Sequence, residues 1–255
     1  MSYHKHKDNI QDFLIFKIEE LKLAGISNAS QEINWLLQTK FSIKKERLIF
    51  KNNFFLKETE YNQLNKYINR RLNHEPFQYI INSAPFYGLD LYVDNNVLIP
   101  RPESEIFIEI IKKKQFFSQS TLDVGTGSGN LALAIAVNNL SKKITAIDIS
   151  KKAVRIAKKN FLKYNIDYIN CFQDNFLTMK FKEKFDLIVS NPPYVSFDEY
   201  RQLDKTVKNF EPKNALTDSS TGLTFYKYLS EVACDLLEPQ GILLIEIGLE
   251  KNKKI

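Results

Sequence analysis

The run Asp186-Leu187-Ile188-Val189-Ser190 reads as an apolar strand, and it leads directly into Asn191-Pro192-Pro193-Tyr194. A strand that runs into two imino acids gives up the N–H groups with which it could extend its ladder. Such a turn offers acceptors instead: backbone carbonyls, the side-chain carbonyl of Asn191, and the flat ring of Tyr194 beside them. This set suits a planar NH2 group. The Asn191 side chain and the Pro192 carbonyl would hold its two protons, Tyr194 would stack on its plane, and the nitrogen lone pair would face an electrophile next door. The bland alternative is a rigid turn with a packed tyrosine.

A second group of residues says what that electrophile could be. Asp123-Val124-Gly125-Thr126-Gly127-Ser128-Gly129 ends another apolar strand, and its glycines let backbone N–H groups approach a ligand at a helix N-terminus. No Lys-Ser/Thr pair follows, so this is not a phosphate loop, and the third glycine falls one residue early for the dinucleotide pattern. A tight turn without a ligand is the competing reading. Asp148 ends the next strand, 25 residues after Asp123, close to the ~20-residue interval at which an acidic side chain meets ribose hydroxyls. It could also be only a charge beside the helix that Ser150 caps. Together the two features favour a nucleoside ligand without a pyrophosphate, a description that S-adenosylmethionine fits. Asp174-Asn175 ends the third strand, where polar groups could lie beside an adenine or merely form a turn.

The elements that must position these residues follow from periodicity. Strands TLDVG, ITAID, YINCFQD, FDLIVSN and GILLIEIG alternate with helical stretches at 129–140, 150–165 and near 223–237. That alternation predicts an α/β fold, a doubly wound and mostly parallel sheet with helices on both faces, whose ligands lie beyond the carboxyl ends of the strands. Ahead of it, Ile10, Phe13, Leu14, Ile18 and Leu21 recur at helical spacing up to Gly25. Ile33, Leu36 and Leu37 form a second such group, and Tyr61, Leu64, Ile68 and Leu72 a third. We therefore expect a helical domain over 1–73, a linker with a β-hairpin over 74–100 and the α/β domain over 101–255. Alternation of Leu89, Leu91 and Val93 with polar residues, followed by Asp94-Asn95-Asn96, places the hairpin around that turn. Pro100-Arg101-Pro102 closes it, and Ile106, Phe107, Ile110 and Ile111 suggest a helix beyond.

Composition narrows the function class. No apolar run approaches the ~18 residues of a membrane span, and MSYHKHKDNI has no apolar segment of a signal peptide, so we expect a cytoplasmic protein without a membrane partner. Cys171 and Cys234 sit in apolar surroundings without C-x-x-C spacing and read as reduced core residues. His4, His6 and His74 are dispersed, which argues against a zinc or histidine-dependent centre. Of the +6 net charge, residues 1–75 carry a surplus of 4, with 13 Lys/Arg against 9 Asp/Glu. The basic front is either a solvated helical surface or a weak attraction to an acidic protein or RNA.

At Asn191-Pro192-Pro193-Tyr194 the chain resembles class I S-adenosylmethionine-dependent methyltransferases that act on amino groups conjugated to a π system. Glu75-Pro76-Phe77-Gln78-Tyr79-Ile80, Phe86-Tyr87-Gly88, Val97 through Glu105, Asp148-Ile149-Ser150 and Glu211-Pro212 are more specifically similar to the HemK/PrmC-type protein-(glutamine-N5) methyltransferases. Over residues 8 to 249 this resemblance implies a helical domain joined by a hairpin to a methyltransferase domain. It also implies peptide chain release factors as protein substrate, methylated on the Gly-Gly-Gln glutamine. S-adenosylmethionine would be bound by Gly125, Thr126, Gly127, Ser128, Gly129 and Asp148, with Asn175 by the adenine and Asn191 facing the methyl group. Asn191, Pro192, Pro193 and Tyr194 would bind the glutamine, with Asn191 and Pro192 catalytic. S-adenosylhomocysteine would be the product, with no metal and no nucleic acid required, in a monomer. Arg101 and Glu103 would organise the hinge.

Asn82 stands where the family has a glycine and Asn175 where an aromatic is common. Where the family continues through a further helix and two strands, this sequence has only Leu249 to Ile255, so the strand at 242–247 is expected to form an uncovered edge. The rival readings are a ribosomal-protein glutamine methyltransferase, a nucleic-acid amino methyltransferase, for which no dense basic recognition segment is present, and a truncated inactive homologue.

Overall fold

The computed structural model describes residues 10–43 and 56–248, divided between two units at Ile81 and Asn82. His4, His6 and the last seven residues lie outside the described segments. In the first unit each apolar repeat becomes a helix: α1 (Ile10–Leu23), α2 (Ala29–Phe41) and α3 (Glu58–Leu72). Their apolar faces meet in a core that includes Phe13, Leu21, Ile33, Leu37, Leu64 and Ile68. Helix α3 stops where the Asn73 side chain folds back onto the Asn69 carbonyl at 2.9 Å, His74 takes a φ of 65°, and Pro76 follows. The sequence places 74–81 in a linker, yet this stretch carries helix α4 (Phe77–Ile81), because Phe77 and Ile80 join the first unit's core. Glu32, only 5% exposed, is gripped by the Arg71 guanidinium at 2.7 and 3.3 Å. A carboxylate so buried needs that partner, since desolvation alone would be strongly unfavourable. Arg70 pairs with Glu75, so two of the front's cations, Arg70 and Arg71, are held in internal ion pairs, which leaves the net surplus unchanged.

The second unit begins with a hairpin that lies earlier than the sequence suggests. Strand β1 (Ala84–Phe86) pairs antiparallel with β2 (Leu89–Leu91) about Tyr87-Gly88, whose φ values of 47° and 76° match the left-handed pair of a tight two-residue hairpin loop. Asp94 does turn the chain, its Oδ1 accepting from the Asn96 N–H at 2.9 Å. Residues 97–99 nevertheless form no strand, and Pro100 and Pro102 beyond them cannot donate to a ladder. Asn82 takes a left-handed φ of 57° and donates to the Val93 carbonyl at 3.2 Å. That is how an asparagine serves at a glycine position.

A short 3-10 turn (Pro102–Glu105) opens α5 (Ile106–Lys113), and the expected alternation then follows: β3 (Thr121–Val124), α6 (Asn130–Val137), β4 (Ile144–Asp148), α7 (Lys151–Lys163), β5 (Ile169–Gln173) and β6 (Phe185–Ser190). Three short helices, α8 (Phe197–Gln202), α9 (Lys205–Phe210) and α10 (Lys213–Leu216), precede α11 (Thr224–Leu236) and β7 (Leu237–Ile245). The strands run parallel in the order β5-β4-β3-β6-β7. Strand alternation separates two cores: Ala146, Leu187 and Val189 pack against α5, α6 and α7, whereas Val124, Ile147 and Ile188 pack with Leu229 and Leu236 of α11. This is the doubly wound sheet expected from the sequence. At the end of the sheet, Ile242 to Ile245 of β7 stay half-exposed. Cys171 is buried as expected, but Cys234 is exposed on α11, where Leu229 and Leu236, rather than the cysteine, face the core.

Candidate active site

Strand order reverses between β3 and β6, since the chain proceeds from β3 outward through β4 and β5 and then returns to β6 on the other side. A doubly wound sheet opens a crevice at that point, beyond the strands' carboxyl ends. The Ser190 hydroxyl, fully buried, donates to the Val124 carbonyl at 2.9 Å and ties the two strand ends together beneath it. Above lies a cleft of about 600 Å³ lined by Gly125, Thr126, Gly127, Ser128, Asp148, Asn175, Asn191, Pro192 and Pro193. Two groups of residues more than sixty positions apart thus share one cavity.

The glycine loop is held from below. The N–H groups of Gly125 and Thr126 both donate to the Ile147 carbonyl at 2.9 Å, and Gly127 N–H donates to Asp148 Oδ2 at 2.9 Å. The other carboxylate oxygen accepts from Ser150 N–H at 2.8 Å. Asp148 is therefore fixed by a backbone donor on each oxygen and keeps lone pairs for a ligand hydroxyl. Burial pushes its carboxyl upward from the usual range, and the two N–H bonds act against that. Ser150 caps α7 as expected, accepting from Ala153 N–H at 3.2 Å. Open space surrounds the position a Cβ would take at Gly125, and at Gly127 the nearest atom is 3.9 Å away, so the loop leaves its upper side clear.

Gly129 is placed differently. A Cβ there would lie 2.5 Å from the Phe161 ring, so this glycine admits close packing of the loop on α7 and does not line the cleft. Tyr194 is also absent from the lining; half-buried, it directs its hydroxyl toward Glu246 Oε1 at 3.4 Å. Asn175 lines the cleft with its carbonyl already accepting from Leu177 N–H at 3.1 Å, so its amide nitrogen is the polar group it has left to offer a ligand. Arg101 lines the cleft too, pairing with the buried Glu211 at 2.7 Å, and Glu211 also accepts from Ile99 N–H.

Four contributors escaped the sequence reading as site residues. Asp123 is fully buried on the cleft wall, accepting from the Thr126 hydroxyl at 2.7 Å and Ala132 N–H at 3.2 Å, and burial lifts its carboxyl to about 7. Asn160, fully buried in α7, donates to the carbonyls of Ser128 and Tyr92 at 2.8 and 3.0 Å and accepts from Tyr92 N–H at 2.7 Å, anchoring the loop. Asn191 Nδ2 donates to the Ser104 hydroxyl at 3.0 Å, and Ser104 in turn contacts Glu246. A lone carboxylate ending the apolar strand GILLIEIG was visible by the strand-end rule that found Asp148. Ser104 falls within the Val97 to Glu105 stretch that carries the family resemblance, but nothing there marks it as a site residue, and nothing in the sequence distinguishes Asn160.

This arrangement, an acceptor turn and a glycine loop across the switch point of a doubly wound sheet, is that of a class I methyltransferase. Residues 102–210 match the methyltransferase small domain family, and residues 16–81 match the PrmC N-terminal domain. The release factor glutamine methyltransferase of Fusobacterium nucleatum subsp. nucleatum is 36% identical over 253 residues, covering 98% of this chain and 72% of that protein. That of Buchnera aphidicola subsp. Baizongia pistaciae is 36% identical over 243 residues, covering 94% and 87%. The bifunctional methyltransferase of Rickettsia typhi is 34% identical over 258 residues, of which this chain spans half the length. The chain belongs to the release factor glutamine methyltransferase family.

Proposed function

We propose that the protein transfers a methyl group from S-adenosylmethionine to the side-chain amide nitrogen of the glutamine in the Gly-Gly-Gln motif of peptide chain release factors. The observation that carries this reading is that the clear-sided glycine loop with Asp148 and the acceptor turn Asn191 to Pro193 open into one cleft. The residues fit the cofactor: Asp148 retains lone pairs for ribose hydroxyls, Gly125 and Gly127 leave room for close approach, and Asn175 presents an amide to an adenine edge. S-adenosylmethionine, when bound, supplies an electrophilic methyl on a sulfonium and leaves as S-adenosylhomocysteine.

The chain's own contribution is alignment. A glutamine amide is a weak nucleophile because its lone pair is delocalised into the carbonyl. Asn191 Oδ1 and the Pro192 carbonyl accept its two protons, fix the plane of the group, and favour the electron-rich, pyramidal nitrogen. Correct alignment can contribute as much as about 7–11 kcal/mol to such a transfer. No strong base is needed beforehand, because an alkylated amide is acidic enough to release its proton to these acceptors or to water. Tyr194, outside the cleft lining, supports the turn through its hydroxyl and offers its ring only if the side chain swings inward.

Incubation of the protein with S-adenosylmethionine and a release factor, followed by mass spectrometry, should find one added methyl on the Gly-Gly-Gln glutamine. An unmodified release factor together with a methylated RNA or ribosomal protein would refute the substrate assignment.

A further inference from the structure

Strand pairing sets Ser190 of β6 against Ile245 of β7, so the next residues, Asn191 and Glu246, emerge side by side where the sheet ends. The Glu246 backbone is fixed on both sides: its N–H donates to the Ser190 carbonyl at 3.0 Å, and its carbonyl accepts from the buried Tyr226 hydroxyl at 3.0 Å. Its Oε1 faces the Tyr194 hydroxyl at 3.4 Å, and its Oε2 accepts from the hydroxyl of Ser104, which is 1% exposed. A serine hydroxyl has one proton. Once that proton is given to a carboxylate, which can only accept, the oxygen has nothing but lone pairs to offer Asn191.

Asn191 answers with its donor, Nδ2 to Ser104 Oγ at 3.0 Å. The flipped amide would set a carbonyl oxygen against the serine's lone pairs and is disfavoured. Among the described residues no hydrogen bond is made to Asn191 Oδ1, the other corner of that amide, and Asn191 lines the cleft. We infer that Ser104 and Glu246 are positioning residues: the Glu246 carboxylate sets the polarity of the Ser104 hydroxyl, which locks the Asn191 amide with Oδ1 as its acceptor for substrate N–H. The inference deepens the glutamine-binding role proposed for Asn191 and rests on it. It also gives the Pro102–Glu105 turn a part in the chemistry without touching substrate.

The test uses the full chain and the variants Ser104→Ala, Ser104→Thr and Glu246→Gln. In spectra of 15N-labelled protein, with the Asn191 side-chain NH2 identified by its loss in Asn191→Ala, one proton should exchange slowly in wild type and Ser104→Thr. It should exchange at least about tenfold faster in Ser104→Ala and Glu246→Gln. Methyl transfer to a release factor should show kcat lowered about 10- to 100-fold in Ser104→Ala and Glu246→Gln. KM for S-adenosylmethionine should change less than about threefold, and Ser104→Thr should recover most of the rate. A merely structural role would not split kcat from KM or be rescued by threonine. Equal amide exchange in wild type and Ser104→Ala, or a kcat within about twofold of wild type in that variant, overturns the inference. A wild-type protein whose Asn191 amide is protected through Ser104 but which transfers no methyl to any release factor supports the locked amide and refutes the proposed substrate instead.

Discussion

Replacing Gly129 by alanine should unfold the second unit more readily without placing a new methyl in the cleft, and the size of the effect follows from the packing. The new methyl would lie 2.5 and 2.9 Å from two Phe161 ring carbons and 3.1 Å from the Ala157 Cβ. Carbon atoms rest comfortably at about 3.5–4.0 Å, so the ring or the loop must move by about 1 Å. Phe161 is 3% exposed among Leu131, Ala157 and their neighbours and has little room to do so. Overpacking of this kind costs about 1–3 kcal/mol, and a side chain at a φ of 80° adds about 1–2 kcal/mol. The total, about 2–5 kcal/mol, is a large part of an ordinary domain's ~5–15 kcal/mol. Gly127→Ala is the control: its Cβ meets nothing closer than 3.9 Å, so it incurs only the conformational cost while placing a methyl on the cleft wall. Denaturant unfolding and calorimetric titration with S-adenosylmethionine, run on both variants, should show Gly129→Ala as the less stable and Gly127→Ala as the weaker binder. If Gly129→Ala unfolds within about 0.5 kcal/mol of wild type, or proves more stable than Gly127→Ala, the assignment of this glycine to packing is wrong.

Asn191→Ala should bind S-adenosylmethionine with near-normal affinity yet turn over at least about 100-fold more slowly; unchanged turnover in a methyl-transfer assay would remove it from the chemistry. Asp148→Ala deprives two loop N–H groups of their acceptor and should raise the S-adenosylmethionine Kd by about tenfold or more, roughly 1.4 kcal/mol, whereas normal affinity by titration would sink the ribose reading. Burial lifts the Asp123 carboxyl from 3.8 to about 7, so the folded chain holds that proton more tightly than the unfolded one. Its contribution to stability is then complete below about pH 4 and is lost as pH rises through about 7. Asp123→Asn keeps an acceptor for Thr126 and Ala132 but cannot ionise. Wild type should accordingly lose stability relative to this variant between pH 4 and pH 8 in denaturant melts, and parallel pH profiles would contradict the assignment.

The alternation of short apolar strands with helical stretches predicted the parallel sheet, because strands buried on both faces leave little freedom to be anything else. Glycine loop, Asp148 and the turn after β6 were legible for the same reason: a strand-end rule says where to look. The hairpin was misplaced because Asp94-Asn95-Asn96 is the louder polar signal. Tyr87-Gly88 makes the tighter turn through backbone angles that a tyrosine does not advertise. Helix α4 and helices α8 to α10 span four to six residues, too few for a helical period to register. The grip on Asn191 was invisible for a different reason, since Ser104 and Glu246 are brought to it from 87 and 55 positions away by the turn before α5 and the register of β7.

Asn160 joins segments that lie 36 positions apart in the chain, Tyr92 and Ser128. One buried amide links the glycine loop at Ser128 to the backbone of Tyr92 beyond the hairpin. Any ligand that stills the loop must also steady Tyr92, and by thermodynamic reciprocity whatever loosens Tyr92 must weaken that ligand. The amide proton of Tyr92, bound to Asn160 Oδ1 outside the cleft, should therefore exchange more slowly when the cleft is filled, making it a remote gauge of occupancy.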